Sequence, residues 1–169
     1  FKGTRRRFKT RAPRAGVWVV DDYAHHPTAV RATLRAAREA HAGRVVAVFQ
    51  PHTTHRTAAL LDDFAAAFGD ADRVILAPIY QPAGRELGAP TVTSSDLVDR
   101  MGHRDACSVD SLDAAHALLV GEELRPGTLI LALGAGDVTA VADRLAAQLV
   151  DETTDAPAAE PVRGPEASR

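Results

Sequence analysis

Five short apolar runs constrain this chain more than any other feature: VWVVD at 17–21, RVVAVF at 44–49, RVILA at 73–77, ACSV at 106–109 and TLILAL at 128–133. They lack the polar and apolar alternation of a strand with one wet face. A strand that is apolar on both sides must be covered on both sides, which is the situation in a parallel sheet sandwiched between helices. The intervening segments supply those helices. Pro27 suits the first turn of a helix whose Val30, Leu34 and Ala37 share a face, and Leu60, Leu61, Phe64 and Phe68 mark a second. A shorter helix is expected from Ser94 or Ser95, with Leu97, Val98 and Met101 inward. Leu112, Ala115, Leu118 and Leu119 mark another, and Val138, Val141, Leu145 and Leu149 the last.

Strand and helix in alternation predict an α/β fold, a Rossmann-like, doubly wound and mostly parallel sheet. Residues 5–11 are expected to add an antiparallel edge strand, with 11–16 turning the chain back. The expected organisation is a linker or edge strand from a preceding domain at 1–14, the Rossmann-like domain at 15–150, and a disordered tail at 151–169, which is rich in Ala, Pro and Glu. With 169 residues and 46% hydrophobic content there is material for one such domain and not two.

Charge excludes some functions. Residues 1–14 carry seven Lys or Arg and no acid, yet the net charge is −2, so a basic arm sits beside an acidic body and no general nucleic-acid binder is expected. Cys107 is the single cysteine, which forbids an intrachain disulfide and fits a reducing, cytoplasmic setting. No apolar run approaches the roughly 18 residues that span a bilayer, so no membrane partner is expected. A chain that opens on Phe1 rather than Met reads as a piece of a longer one.

The chemistry collects where strands end. DDYAHHP at 21–27, QPHTTHRT at 50–57 and GAGD at 134–137 each follow an apolar run. In open α/β sheets ligands bind outside the carboxyl ends of the strands, so the three clusters predict one ligand-binding rim. One reading of it is a metal site for a phosphoesterase or amidase, built from His25, His26, His52, His55, Asp21 and Asp22, although adjacent histidines leaving a strand point in different directions. Another is a noncatalytic nucleotide-binding module using the basic arm. The GAGD turn offers either backbone amides for an anion or simply close strand-to-helix packing. No G-x-x-x-x-G-K-[ST] segment occurs, so the chain has no P-loop for a triphosphate. Asp62 with Asp63, Asp70 with Asp72, and Glu122 with Glu123 read as solvated surface. Trp18 reads as core, and His41, His103 and His116 as surface or helix-end residues.

RRF at 6–8, DDYAHHPTAV at 21–30, FQPHTTHRT at 49–57, ADRVILAPIY at 71–80 and LGAGDV at 133–138 together resemble the C-terminal domain of the UDP-N-acetylmuramate:L-alanine ligases, of the Mur ligase family. The resemblance covers about residues 1–150. It implies the third domain of a peptidoglycan-synthesis enzyme that uses ATP and Mg²⁺, held mainly by a central P-loop domain, to activate the UDP-N-acetylmuramate carboxylate as an acyl phosphate for attack by L-alanine. By resemblance Arg7 reaches ATP and Asp22 its ribose, while Tyr23, His25, His52 and Arg56 line the L-alanine site, Arg56 facing the carboxylate. No catalytic residue and no metal ligand is implied in this domain. The chain departs from the pattern at Thr54 and His55, where family members often carry an aromatic residue and Ser or Thr, and at Thr53, where some carry Arg.

Overall fold

The computed structural model of the chain describes residues 9–14, 16–84 and 92–151. Six strands, β1 (Lys9–Arg14), β2 (Val17–Asp22), β3 (Arg44–Phe49), β4 (Arg73–Leu76), β5 (Ala106–Ser108) and β6 (Thr128–Leu133), form one sheet in the order β1-β2-β6-β3-β4-β5. All neighbours are parallel except β1, which pairs antiparallel with β2. The helices are α1 (Pro27–Ala40), α2 (Thr54–Ala59), α3 (Leu61–Ala65), α4 (Ser94–Met101), α5 (Leu112–Glu122) and α6 (Thr139–Asp151).

The double-sided burial expected of the strands is what the sheet has. Val20, Val45, Ala47, Phe49, Val74, Leu76 and Leu131 join one core with Val30 and Leu34 of α1, Phe64 of α3 and Leu97 of α4. Their alternates Val19, Val46, Val48, Ile75, Ile130 and Ala132 join a second core with Ala115 and Leu119 of α5 and Val141 and Leu145 of α6. Period-two geometry sends successive side chains to opposite faces, so a fully apolar run fills two cores at once.

Three expectations need correction. The edge strand runs through Lys9–Arg14, into the stretch expected to turn the chain back, and its register slips between Arg11 and Arg14. Pro13 lies in that slip; it has no N–H to give a ladder, so it belongs on an edge strand at an irregularity. Residues 5–8, Arg7 among them, and the tail at 152–169 lie outside the described residues. The second helix is two short ones, broken at Leu60, whose φ of −119° and ψ of 24° leave the helical region. Leu60 and Leu61 both pack on the first core, and adjacent residues of a straight helix point about 100° apart, so the break lets both reach it. Phe64 and Phe68 then flank Phe49, each with ring centroids 5.4 Å away.

The third correction concerns the acids expected at the surface. Glu123 is only 2% exposed and takes Arg44 Nε at 2.7 Å and Arg73 Nη1 at 2.9 Å. Asp72 accepts from Val45 N at 2.7 Å and from Arg38 Nη2 at 2.5 Å. These pairs tie together the amino ends of β3 and β4, the edge of the sheet opposite the predicted ligand rim.

Candidate functional site

At the carboxyl rim, β6 lies between β2 and β3, so the three polar clusters meet: Asp22 and Phe49 both pair with Leu133. The first cluster holds itself in place. Asp21, 1% exposed, accepts from Thr139 Oγ1 at 2.9 Å and so joins β2 to the start of α6. Asp22, 7% exposed, accepts from Ala24 N at 2.8 Å and from Thr33 Oγ1 at 3.4 Å, which folds the turn back onto α1. His26 caps α1, its Nδ1 accepting from Thr28 N at 3.4 Å, a cap position that short polar side chains usually fill.

Tyr23 and His25 are left to face outward. Tyr23 is 46% exposed, a large aromatic on the surface, and meets His25 edge-on with centroids 5.0 Å apart. His25 Nδ1 lies 2.9 Å from Tyr23 O; a carbonyl only accepts, so Nδ1 is the nitrogen that donates to it. The row of rings continues across the mouth of β6. His25 and His52 lie 6.1 Å apart, and His52 and Tyr80 5.4 Å apart.

The second cluster is bound to the turn after β4. His52 and Tyr80 form a parallel β-bridge, in which Tyr80 N donates to Pro51 O at 2.8 Å and Thr53 N to Tyr80 O at 2.8 Å. Thr53 then turns the chain into α2 with a φ of 64°, a conformation costly for a β-branched residue. Thr57, fully buried, holds that turn by giving both its N (3.1 Å) and its Oγ1 (2.9 Å) to Thr53 O. Arg56 follows, half-buried in the first turn of α2, and no ion pair engages its guanidinium among the described residues. His55 is exposed on the same helix.

The GAGD turn resolves toward packing. Gln50 is 4% exposed and spans it: Nε2 donates to Asp137 Oδ1 at 2.6 Å, and Oε1 accepts from Val138 N at 3.1 Å. A Cβ on Gly136 would overlap Gln50 Oε1 and stand 2.7 Å from Tyr80 Cγ. The glycine is required so that these side chains can lie against the loop, and the Val138 amide that follows it is engaged by Gln50.

Of the residues expected on the rim, Tyr23, His25 and His52 come together, with Arg56 on the helix that follows. His26 and His55 do not join them, and among the described residues no group of three or more His, Cys, Asp or Glu is placed to hold a metal ion. Tyr80 and Gln50 are additions. The signal for Tyr80 was an aromatic just past a strand's carboxyl end; Gln50 sat inside FQPH in plain view, but nothing in sequence showed that its partner is Asp137.

An open parallel sheet with polar and aromatic side chains gathered beyond three adjacent strand ends defines a ligand-binding α/β domain. The family model described as "Mur ligase, glutamate ligase domain" matches residues 6–136, and the chain belongs to that family. It is 50% identical over 151 residues to UDP-N-acetylmuramate--L-alanine ligase of Anaeromyxobacter dehalogenans, covering 88% of this chain and 32% of that one. With the ligase of the same name from Rhizobium meliloti it shares 44% over 154 residues, 89% of this chain and 32% of the other. The crystal structure of UDP-N-acetylmuramate-alanine ligase from Thermotoga maritima superposes with a TM-score of 0.67 at 26% identity, over 90% of this chain and 32% of that chain. The chain thus spans about a third of the length of the curated relatives it matches.

Proposed function

We propose that this chain is the amino-acid-binding domain of an ATP-dependent ligase that joins L-alanine to UDP-N-acetylmuramate in peptidoglycan synthesis. The observation that carries the proposal is the row Tyr23, His25, His52 and Tyr80 along the rim, with Arg56 close behind in sequence, in a chain half identical to ligases of that name. A guanidinium offers a carboxylate two parallel hydrogen bonds, which suits Arg56 to the α-carboxylate of the amino acid. With Nδ1 turned to Tyr23 O, Nε2 is the His25 nitrogen assigned to its amine. A pocket bounded by Tyr and His side chains disfavours a large amino-acid side chain, so we assign it to small amino acids.

ATP and Mg²⁺ supply the activation of the muramoyl carboxylate. The described residues do not form a cradle for the phosphates: the chain lacks a P-loop, and Val138 N is engaged by Gln50. We therefore assign the phosphates and Mg²⁺ to the rest of a longer protein, with Arg7 reaching ATP from the arm at 1–14. Asp22 is assigned to the ribose, where a hydroxyl would share its carboxylate with Ala24 and Thr33. Residues 15–150 act as the folding unit, and the reaction is placed in the cytoplasm, with no nucleic-acid or membrane partner.

The test is a chimera in which this chain replaces the matching C-terminal third of the Anaeromyxobacter dehalogenans ligase. Phosphate release from ATP that requires both UDP-N-acetylmuramate and L-alanine is the expected result. A chimera that still binds ATP and the UDP-sugar yet shows no L-alanine-dependent turnover would overturn the proposal.

A further inference from the structure

We infer that Gln50 and Asp137 are positioning residues for the amino-acid pocket: together they clamp the 134–137 loop beneath Tyr80, and Tyr80 in turn fixes His52. The functional half of this inference rests on the ligase reading above; the structural half does not. Gln50 lies at the end of β3, immediately before the Pro51–His52 turn, and its backbone N donates to Leu133 O at 3.0 Å. Its buried amide faces two groups that leave one orientation open. Val138 N–H can only donate and the Asp137 carboxylate can only accept, so Oε1 takes Val138 and Nε2 serves Asp137.

One side chain therefore bridges the loops after β3 and β6. That bridge presses Gly136 against Tyr80, whose Cγ lies 2.7 Å from where a Cβ on Gly136 would stand. Gly134, at φ 149°, likewise admits no side chain, because a Cβ would lie 2.8 Å from Gln50 O. From Tyr80 the linkage runs by the β-bridge and the 5.4 Å ring contact to His52. A buried amide with both ends satisfied specifies one arrangement, and losing Gln50 strands the buried Val138 N–H without its acceptor. Asp137 itself is at the exposed end of this linkage, so its carboxylate could instead be read as a ligand group. The two roles differ in what they need: positioning needs an acceptor oxygen, and a ligand role needs the charge.

The test has two arms. In the chain as it stands, Gln50→Leu should speed amide hydrogen exchange at Thr53, whose N–H bonds Tyr80 O, by about 10-fold or more, while Ile130 in the centre of the sheet is unchanged. Unchanged exchange at Thr53 would refute the linkage. In the chimera, Gln50→Leu and Asp137→Ala should each raise the L-alanine KM by roughly 10-fold with the ATP KM within about 2-fold, and Asp137→Asn, which keeps the acceptor, should restore most of the loss. Asp137→Asn as damaging as Asp137→Ala, or an L-alanine KM that does not move, would overturn the inference. Loss of L-alanine turnover in the unmutated chimera would count against the ligase reading alone, since the exchange arm needs no ligand.

Discussion

Resemblance assigns Arg56 and Asp22 to two different ligands, and the structure gives the two side chains different surroundings. Arg56 meets no carboxylate among the described residues, so its truncation should remove a substrate contact and little else. Arg56→Ala is expected to raise the L-alanine KM of the chimera roughly 10-fold to 150-fold, the loss of a charge-assisted bond worth about 1.5 to 3 kcal/mol, with the ATP KM nearly unchanged. Asp22 also closes its own turn through Ala24 N, so Asp22→Ala should lower the Tm of the chain as well as raise the ATP KM, whereas Asp22→Asn, which keeps the Oδ1 acceptor, should spare the Tm. Paired thermal melts and ATP titrations check this; equal loss of Tm in both variants would show that the acceptor is not what matters. Thr57 was invisible in sequence. Its hydroxyl is fully buried on Thr53 O, and Thr57→Val should cost about 1 kcal/mol in urea unfolding, with the slope unchanged.

At the scale of elements, periodicity located α1, α3, α4, α5 and α6 but missed α2, whose THRTAA carries no apolar stripe, and the break at Leu60, because a run of apolar residues does not say whether two neighbours must both reach the same core. It also gave no hint of the turns that set strand spacing. Gly43 precedes β3, and a Cβ there would run into Gly127 O, a backbone atom, and stand 2.8 Å from His41 Nε2. His41, the residue after α1, is in turn bonded to Gly127 O at 2.9 Å and packed edge-on to Trp18 at 5.0 Å. Backbone cannot step aside as a flexible side chain can, so Gly43→Ala should destabilise the chain by roughly 1 to 3 kcal/mol, read from the midpoint of urea unfolding. A neutral result would mean the turn at 126–128 is free to shift.

For the whole molecule, the ligand rim occupies one end of the sheet and a group of ion pairs the other. The carboxyl of Asp72 is raised by burial, but Val45 N–H and the Arg38 guanidinium outweigh this and hold it below the usual 3.8. A folded value below the unfolded one means that its stabilisation is present above about pH 4 and is lost as the pH falls through the folded value. His116 on α5 is pushed below 6.5 by burial first and by Arg144 second. Its neutral form is favoured in the fold, so its contribution is complete above about pH 6.5 and is lost as the pH falls further. Thermal melts across pH should therefore show Asp72→Asn flattening the limb below about pH 4, and His116→Gln flattening the limb as the pH falls below about 6.5. Parallel curves for parent and variant would remove the assigned group as the cause.

The sequence by itself determined the sheet, because strands apolar on both faces have no stable home except between two layers of helices, and runs such as TLILAL carry that demand locally. It also placed DDYAHHP, QPHTTHRT and GAGD on one side of the sheet, where every carboxyl end of a parallel sheet falls; that they meet there depends on the strand order β2-β6-β3. Only the tertiary structure decided which of their side chains come together at the rim. His25 and His26 are adjacent in sequence, yet one joins the ring row and the other caps a helix, according to where α1 begins. Gln50 and Asp137 are 87 positions apart and Arg44 and Glu123 are 79 apart; such pairings depend on strand order and on which polar groups are sealed from water, quantities that local pattern does not hold.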